Sequence, residues 1–167
     1  MRLQVKNGET ILCIGDSITD CGRRAGDHVP IGAGYVRMLR DMLVADYPER
    51  KIEVVNRGIG GNTMADLQIR WEDDVTAYRP RWLTILVGIN DLSRTIRGVP
   101  GYAEHSDWAL HTPDKYAARL DEVLTRTERT IGARVILMEP FYLSTDTTDG
   151  FRGMILRRIE EYRVAVR

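Results

Sequence analysis

The residues best suited to chemistry stand in three short polar segments, each directly after an apolar run. The first segment, Gly15-Asp16-Ser17, follows the apolar run 11–14. Four consecutive apolar residues predict a buried strand of a parallel sheet, so Ser17 is expected at the carboxyl end of that strand. Ligands bind at this edge of open α/β sheets, which makes Ser17 a candidate nucleophile. The alternative is a simple turn, because glycine, aspartate and serine all favour turns.

An acyl-accepting serine needs a base for its proton and hydrogen-bond donors for the oxyanion. Candidate donors follow the next two apolar runs, in the glycine-rich loop 58–63 and at Asn90. We expect the backbone N–H groups of Ser17 and Gly61 and the side-chain amide of Asn90 to form a three-donor oxyanion hole. Loss of one such donor typically removes about 3 kcal/mol of transition-state stabilisation.

The elements that must position these segments alternate between strands and helices. Apolar runs predict strands at 10–16, 52–56, 82–87 and 134–139. Apolar residues at helical spacing predict helices at 34–47, from 64 to the residue before Pro80, at 113–130 and from 151 onward. This order predicts a three-layer α/β/α sandwich around a flavodoxin-like parallel sheet with right-handed crossovers. No repeat or linker divides residues 1–167, so a single domain is expected.

Composition argues against several classes of protein. The 24 basic and 24 acidic residues cancel, which disfavours nucleic acid and anionic lipid as partners. The two cysteines, Cys13 and Cys21, lack the spacing of zinc ligands, and no metal or cofactor is expected. No run approaches the ~20 apolar residues of a membrane span. Residues 1–9 lack the pattern of a signal peptide, so a cytoplasmic protein is expected unless a leader has been removed.

Three segments resemble, in order and spacing, the first three sequence blocks of the GDSL/SGNH serine hydrolases. These segments are GDSITD at 15–20, GIGGNTMADL at 58–67 and GIND at 88–91. Two more, RWEDDV at 70–75 and LMEPFYL at 137–143, resemble the branch of bacterial carbohydrate esterases that includes acetylxylan esterases. The resemblance implies the SGNH hydrolase fold and an ester hydrolase activity.

The same resemblance assigns roles to six residues. It implies that Ser17 is the nucleophile and that Ser17, Gly61 and Asn90 supply the oxyanion hole. Asp16, Asn62 and Asp91 would shape the surrounding loops. Asn62 and Asp91 have an alternative role as caps of turns or of the following helix.

The fourth block of that family, Asp-x-x-His, is absent from this chain. None of the three histidines has an aspartate three positions earlier, although Asp107 precedes His111 by four. His28 is an outside candidate for the base, whereas His105 and His111 are expected at the surface or beside a pocket. Two explanations stay open, a longer hydrolase that lacks its last strand and helix here, or a short form that binds without catalysis. The helical pattern that runs up to Arg167 favours the longer hydrolase.

The sequence therefore favours a serine esterase that acts on small acyl esters, with O-acetyl groups on carbohydrate as the expected substrate. The alternative is an inactive SGNH-like protein that binds an acetylated sugar in the same crevice. A nucleotide-binding or receiver module is disfavoured, because loop 58–62 does not match a phosphate-binding motif. We also expect homo-oligomers that form through an uncovered edge of the fourth strand.

Overall fold

A parallel four-stranded sheet forms the centre of the computed structural model, which describes residues 3–25 and 30–167. Its spatial order is β2-β1-β3-β4, with β1 at Thr10–Gly15, β2 at Glu53–Gly58, β3 at Trp82–Leu86 and β4 at Arg134–Met138. This order confirms the flavodoxin-like α/β sheet predicted from the sequence. Gly15 pairs with Gly58 and Leu86, and Leu86 pairs with Met138, so all four strands finish level along one edge.

Helices cover both faces of the sheet. Because alternate residues of β1 point to opposite faces, this strand contributes side chains to two separate cores. Leu12 and Ile14 belong to the larger core, together with side chains from α3 (Met64–Ile69), α5 (Pro113–Thr130) and α6 (Gly150–Arg163). Ile11 and Cys13 belong to the smaller core on the other face, which α2 (Tyr35–Asp46) covers with Val36 and Leu43.

Two short helices that the sequence did not predict begin at the strand tips. They are α1 at Ser17–Asp20 and α4 at Ile89–Arg94. Helix α1 has four residues and α4 has six, which is too few to show a helical period in the sequence. Both helices also lie in polar segments of the sequence. Each begins directly beside a candidate catalytic residue, so they are the elements that orient the candidate site.

The helix predicted from residue 64 to the residue before Pro80 is interrupted. Helix α3 ends at Ile69, and a π-helical turn follows at Glu72–Thr76. The wider turn buries both Asp74 and Val75. Asp74 forms ion pairs with two arginines there, which compensates its burial.

The far edge of the sheet is more open than the centre. Ile136 of β4 is 47% exposed, and an apolar groove of about 730 Å³ lies between Ile136, Trp82 and Leu39. Among the described residues, no helix combines the length and the apolar character needed to cross a bilayer.

Candidate active site

Ser17 stands exposed at the tip of β1, as the first residue of α1. Asp16 caps this helix, because its carboxylate Oδ1 accepts the Ile18 N–H at 3.0 Å. Asp16 itself is only 1% exposed. The tight turn therefore presents the serine hydroxyl outward while it buries the neighbouring carboxylate.

The loop after β2 lies directly beside Ser17. A Cβ atom built on Gly60 would lie 3.8 Å from the Cβ of Ser17. Gly58 has no room for a side chain, since its Cβ would lie 2.1 Å from the backbone nitrogen of Asp20. Gly61 adopts a φ of +82°, a left-handed conformation that favours glycine. The glycines thus allow close approach of this loop to the candidate nucleophile.

The three predicted donors have N–H groups that remain available. Among the described residues, neither the Ser17 N–H nor the Gly61 N–H has a hydrogen-bond acceptor in the protein. The Asn90 side-chain amide donates one hydrogen to the carbonyl of Asn62 at 2.9 Å, which leaves its second hydrogen available. The tips of β1, β2 and β3 therefore carry donors suited to a developing oxyanion.

Arg70, which the sequence analysis did not single out, holds two of these loops together. Its guanidinium donates to the Asn62 side chain at 2.8 Å, to the Arg57 carbonyl at 2.9 Å and to the Gly15 carbonyl at 3.1 Å. It also pairs with Asp74, which Arg57 contacts as well. We call Arg57, Arg70 and Asp74 the arginine cluster. Burial, with repulsion from Arg57, lowers the pKa of Arg70 to about 10, so its side chain stays charged at neutral pH.

Asp91, in the first turn of α4, is fully buried. Both of its carboxylate oxygens accept the Met64 N–H at the start of α3, at 3.1 and 3.0 Å. Asp91 thus caps the start of α3, which precedes it in the chain, whereas a cap of a turn or of the following helix was expected. Asp66 forms the capping box of α3 with Thr63, as expected for a residue in the first turn.

His111 lies buried between two carboxylates, which corrects the expectation of a surface or pocket position. Its Nδ1 is 3.6 Å from Asp91 Oδ1, and its Nε2 is 3.0 Å from Asp107 Oδ2. We call Asp91, His111 and Asp107 the histidine cluster. Asp91 first, and then Asp107, raise the pKa of His111 against the opposing effect of burial. The spacing of four between Asp107 and His111 was the only sequence signal for this cluster.

Asp16 adds a second buried carboxylate to this region. Burial, and secondarily the charge of Asp91, raise the pKa of Asp16 to about 6. Its Oδ2 is buried without a hydrogen-bond partner among the described residues. The Asp16 carboxyl group therefore titrates near pH 6, directly beside the candidate nucleophile.

The described residues do not place a histidine against Ser17. His105 is exposed, His111 belongs to the histidine cluster, and the Ser17 hydroxyl hydrogen-bonds to neither. His28, the outside candidate for the base, lies outside the described residues. Within the described ranges, no group of three or more histidine, cysteine, aspartate or glutamate side chains is arranged to hold a metal ion.

Comparison with known proteins decides the family. Residues 13–167 match the GDSL-like lipase/acylhydrolase family. The chain is 39% identical over 169 aligned residues to an acetylxylan esterase of Geobacillus stearothermophilus, an alignment that covers 95% of this chain and 74% of that enzyme. The chain belongs to the GDSL-like lipase/acylhydrolase family. It is accordingly a carboxylic ester hydrolase.

Solved structures extend this similarity to the fold of the GDSL-like hydrolases. The crystal structure of Axe2, an acetylxylan esterase from Geobacillus stearothermophilus, matches with a TM-score of 0.79 and 39% identity, covering 98% of this chain and 72% of that one. LAE5, described as an alpha/beta hydrolase enzyme from the metagenome of Lake Arreo in Spain, matches with a TM-score of 0.77 and 33% identity, covering 97% and 72%. Three Axe2 structures are of catalytic mutants, in which a serine, an aspartate or a histidine is replaced by alanine.

Proposed function

We propose that this hydrolase removes O-acetyl groups from carbohydrate through an acyl-enzyme on Ser17. The observation that carries the proposal is the exposed Ser17 at the tip of β1, beside the Gly60–Gly61 loop and with its own N–H available. The 39% identity to an acetylxylan esterase supports the choice of acetylated carbohydrate as substrate.

In the proposed reaction, the Ser17 hydroxyl oxygen attacks the acetyl carbonyl carbon and loses its proton to a base. The carbonyl oxygen becomes an oxyanion that accepts hydrogen bonds from the Ser17 N–H, the Gly61 N–H and the free hydrogen of the Asn90 amide. Collapse of this intermediate releases the sugar alcohol, which takes up the proton. Water then attacks the acetyl-serine by the same route and gives acetate.

The proposed base is the histidine of an Asp-x-x-His block of the family type, which residues 1–167 do not contain. Two observations support this assignment. Neither His105 nor His111 is placed to deprotonate Ser17. The catalytic mutants of Axe2 include one aspartate and one histidine, three positions apart in that enzyme. A histidine oriented by an aspartate is the usual partner of a nucleophilic serine.

The test combines covalent labelling with product release. Protein that includes the Asp-x-x-His block is treated with a fluorescent fluorophosphonate, and acetate release from 4-nitrophenyl acetate and from acetylated xylo-oligosaccharides is measured. We expect Ser17→Ala to abolish labelling and to lower kcat at least about 1,000-fold. Ser106→Ala, at an exposed serine, is the matched control and should label and turn over like the wild type. Full activity of Ser17→Ala would contradict the proposed nucleophile.

The second candidate function is binding of an acetylated sugar without hydrolysis. It is favoured by one observation, that no histidine among the described residues contacts the Ser17 hydroxyl. The same experiment separates the two candidates. Calorimetric binding of an acetylated xylo-oligosaccharide, with neither labelling of Ser17 nor acetate release, would favour the binding protein.

A further inference from the structure

The histidine cluster and the candidate oxyanion hole meet in the first turn of α4. Asn90 and Asp91 are neighbours in that turn, and each contacts the segment 62–64. Asn90 donates to the carbonyl of Asn62 at 2.9 Å, while Asp91 accepts the N–H of Met64 at 3.0 Å. The first turn of α4 is therefore hydrogen-bonded to the segment 62–64 at two points. Loss of the hydrogen bond from Met64 to Asp91 would move the Asn90 amide as well.

His111 is the basic side chain that faces the Asp91 carboxylate. Within residues 3–25 and 30–167, no lysine or arginine forms an ion pair with Asp91, whereas His111 Nδ1 lies 3.6 Å from its carboxylate. A buried carboxylate without a compensating charge is strongly unfavourable in a protein interior. Asp16, the second buried carboxylate of this region, adds to that need, because it and Asp91 repel each other.

Other charged and titratable groups surround the imidazole. Asp107 binds its second nitrogen and is itself paired with Arg94 of α4 at 2.7 Å. Tyr162 of α6 donates its hydroxyl to the His111 carbonyl at 2.6 Å. The ring of Tyr116 of α5 packs edge-on against that of Tyr162. Among the described residues, Nε2 hydrogen-bonds to Asp107, whereas Nδ1 makes no hydrogen bond and lies 3.6 Å from the Asp91 carboxylate, at ion-pair distance. Two flanking carboxylates favour the charged form of the imidazole.

We propose that His111 is a positioning residue of the oxyanion hole, whose imidazolium holds Asp91 against the start of α3 and thereby fixes the Asn90 amide in the crevice. This inference rests on the proposed role of Asn90 as an oxyanion donor. His111 touches neither the substrate nor Ser17 in this scheme. It acts through Asp91, and its effect falls on the transition state rather than on substrate binding.

The first part of the test is independent of activity. The His111 ring and the Met64 amide are followed by NMR as the pH is raised. We expect His111 to titrate above its ordinary pKa and the Met64 amide to shift with the same midpoint. Asp107→Asn removes one partner at a position whose side chain is 35% exposed, so it should lower the His111 midpoint without unfolding the protein. An ordinary or lowered His111 pKa would overturn the proposal. So would a Met64 amide whose chemical shift does not change as His111 titrates.

The second part measures hydrolysis of 4-nitrophenyl acetate by protein that includes the Asp-x-x-His block. We expect His111→Gln to lower kcat about 10-fold while KM stays within about twofold, and Asp107→Asn to shift the basic limb of the pH profile of kcat to lower pH. His105→Gln, at the exposed histidine, is the matched control with unchanged kcat.

Each outcome of the two parts has a defined meaning. If His111→Gln does not fold, Asp107→Asn decides, and an unchanged pH profile in that variant would overturn the proposal. A wild-type kcat for a folded His111→Gln would do the same. If Ser17→Ala kept full activity, the proposed function would fail, while the NMR titrations would still report whether His111 holds Asp91.

Discussion

The arginine cluster and the histidine cluster support neighbouring loops of the candidate site with cations of different kinds. Arg70 binds the loops after β1 and β2 through the Gly15 carbonyl, the Arg57 carbonyl and the Asn62 side chain. His111 supports the loop after β3 through a single carboxylate, Asp91. A planar guanidinium offers five donors in a fixed fork, whereas an imidazolium offers two. One cation therefore joins several loops, and the other secures one turn.

The two clusters also differ in how they respond to pH. The pKa of Arg70 is lowered to about 10, which still leaves the guanidinium charged at neutral pH. The pKa of His111 is raised by Asp91 and Asp107, so its charge is lost above the ordinary histidine range. The arginine cluster thus keeps its cation across neutral pH, whereas the histidine cluster loses its cation as the pH rises.

Loss of Arg70 should give the largest effect. Arg70→Met removes the guanidinium and leaves Asp74 with Arg57 alone, so we expect the free energy of unfolding to fall by about 4 kcal/mol. Urea denaturation measures this change. Arg126→Ala, which removes an exposed pair with Glu122, is the control and should change stability by less than about 0.5 kcal/mol. A loss below about 1 kcal/mol in Arg70→Met would show that the loops hold together without the arginine cluster.

Asp16→Asn should give the next largest effect, and one that depends on pH. The folded pKa of Asp16 is raised to about 6 from an ordinary value of 3.8, so the folded state binds the proton more tightly than the unfolded state. Stability from this group is therefore full below pH 4 and is lost as the pH rises to 6, by about 3 kcal/mol.

The asparagine variant keeps the cap of α1 but cannot ionise. We expect its stability relative to the wild type to rise between pH 4 and 6 and to be constant above that window. Urea midpoints across this range give the difference. Asp46→Asn, at an exposed carboxylate, is the matched control. Parallel pH curves for Asp16→Asn and the wild type would contradict the raised pKa.

Much of the fold could be predicted because its long elements carry strong periodic patterns. The helix predicted at 113–130 is observed with the same bounds, and the four strands were placed to within about two residues. The short helices α1 and α4 were missed because the tertiary contacts and caps that stabilise them leave no period in the sequence. The π-helical turn at Glu72–Thr76 was missed because it depends on Asp74 reaching Arg57, which lies 17 residues away.

The candidate site could be predicted only in part. Ser17, Gly61 and Asn90 could be proposed because parallel strands bring their tips to one edge, a rule that needs no knowledge of side-chain contacts. Arg70 and His111 were missed because their roles follow from partners distant in the chain. One signal for Arg70 was present, since it stands next to the buried Trp71 and four residues before Asp74. Their catalytic roles, like those of the three donors, remain predictions.

A smaller effect is expected from the charge of His111, and it tests the contrast in pH response directly. Because the folded pKa of His111 is raised above 6.5, its stabilising contribution is full below that pH and is lost as the pH rises through the folded pKa. Wild-type stability should therefore decline above pH 6.5 relative to that of His111→Gln. Urea midpoints at pH 6 and pH 9 give the comparison, with Arg126→Ala, at an exposed arginine, as the control. An equal decline in His111→Gln would assign the pH response to another group.

The smallest effect concerns the helix end at which the histidine cluster acts. The start of α3 has two supports, its own capping box of Thr63 and Asp66 and the Asp91 carboxylate on the Met64 N–H. Thr63→Ala should lower stability by about 1 kcal/mol, and Thr63→Ser should restore most of it, because serine supplies the same hydroxyl. Urea denaturation of Thr63→Ala, His111→Gln and the double variant forms a thermodynamic cycle. If the double variant loses more free energy of unfolding than the two single variants together, the capping box and Asp91 both stabilise the start of α3. Strict additivity would mean that His111 holds Asp91 without helping to anchor α3.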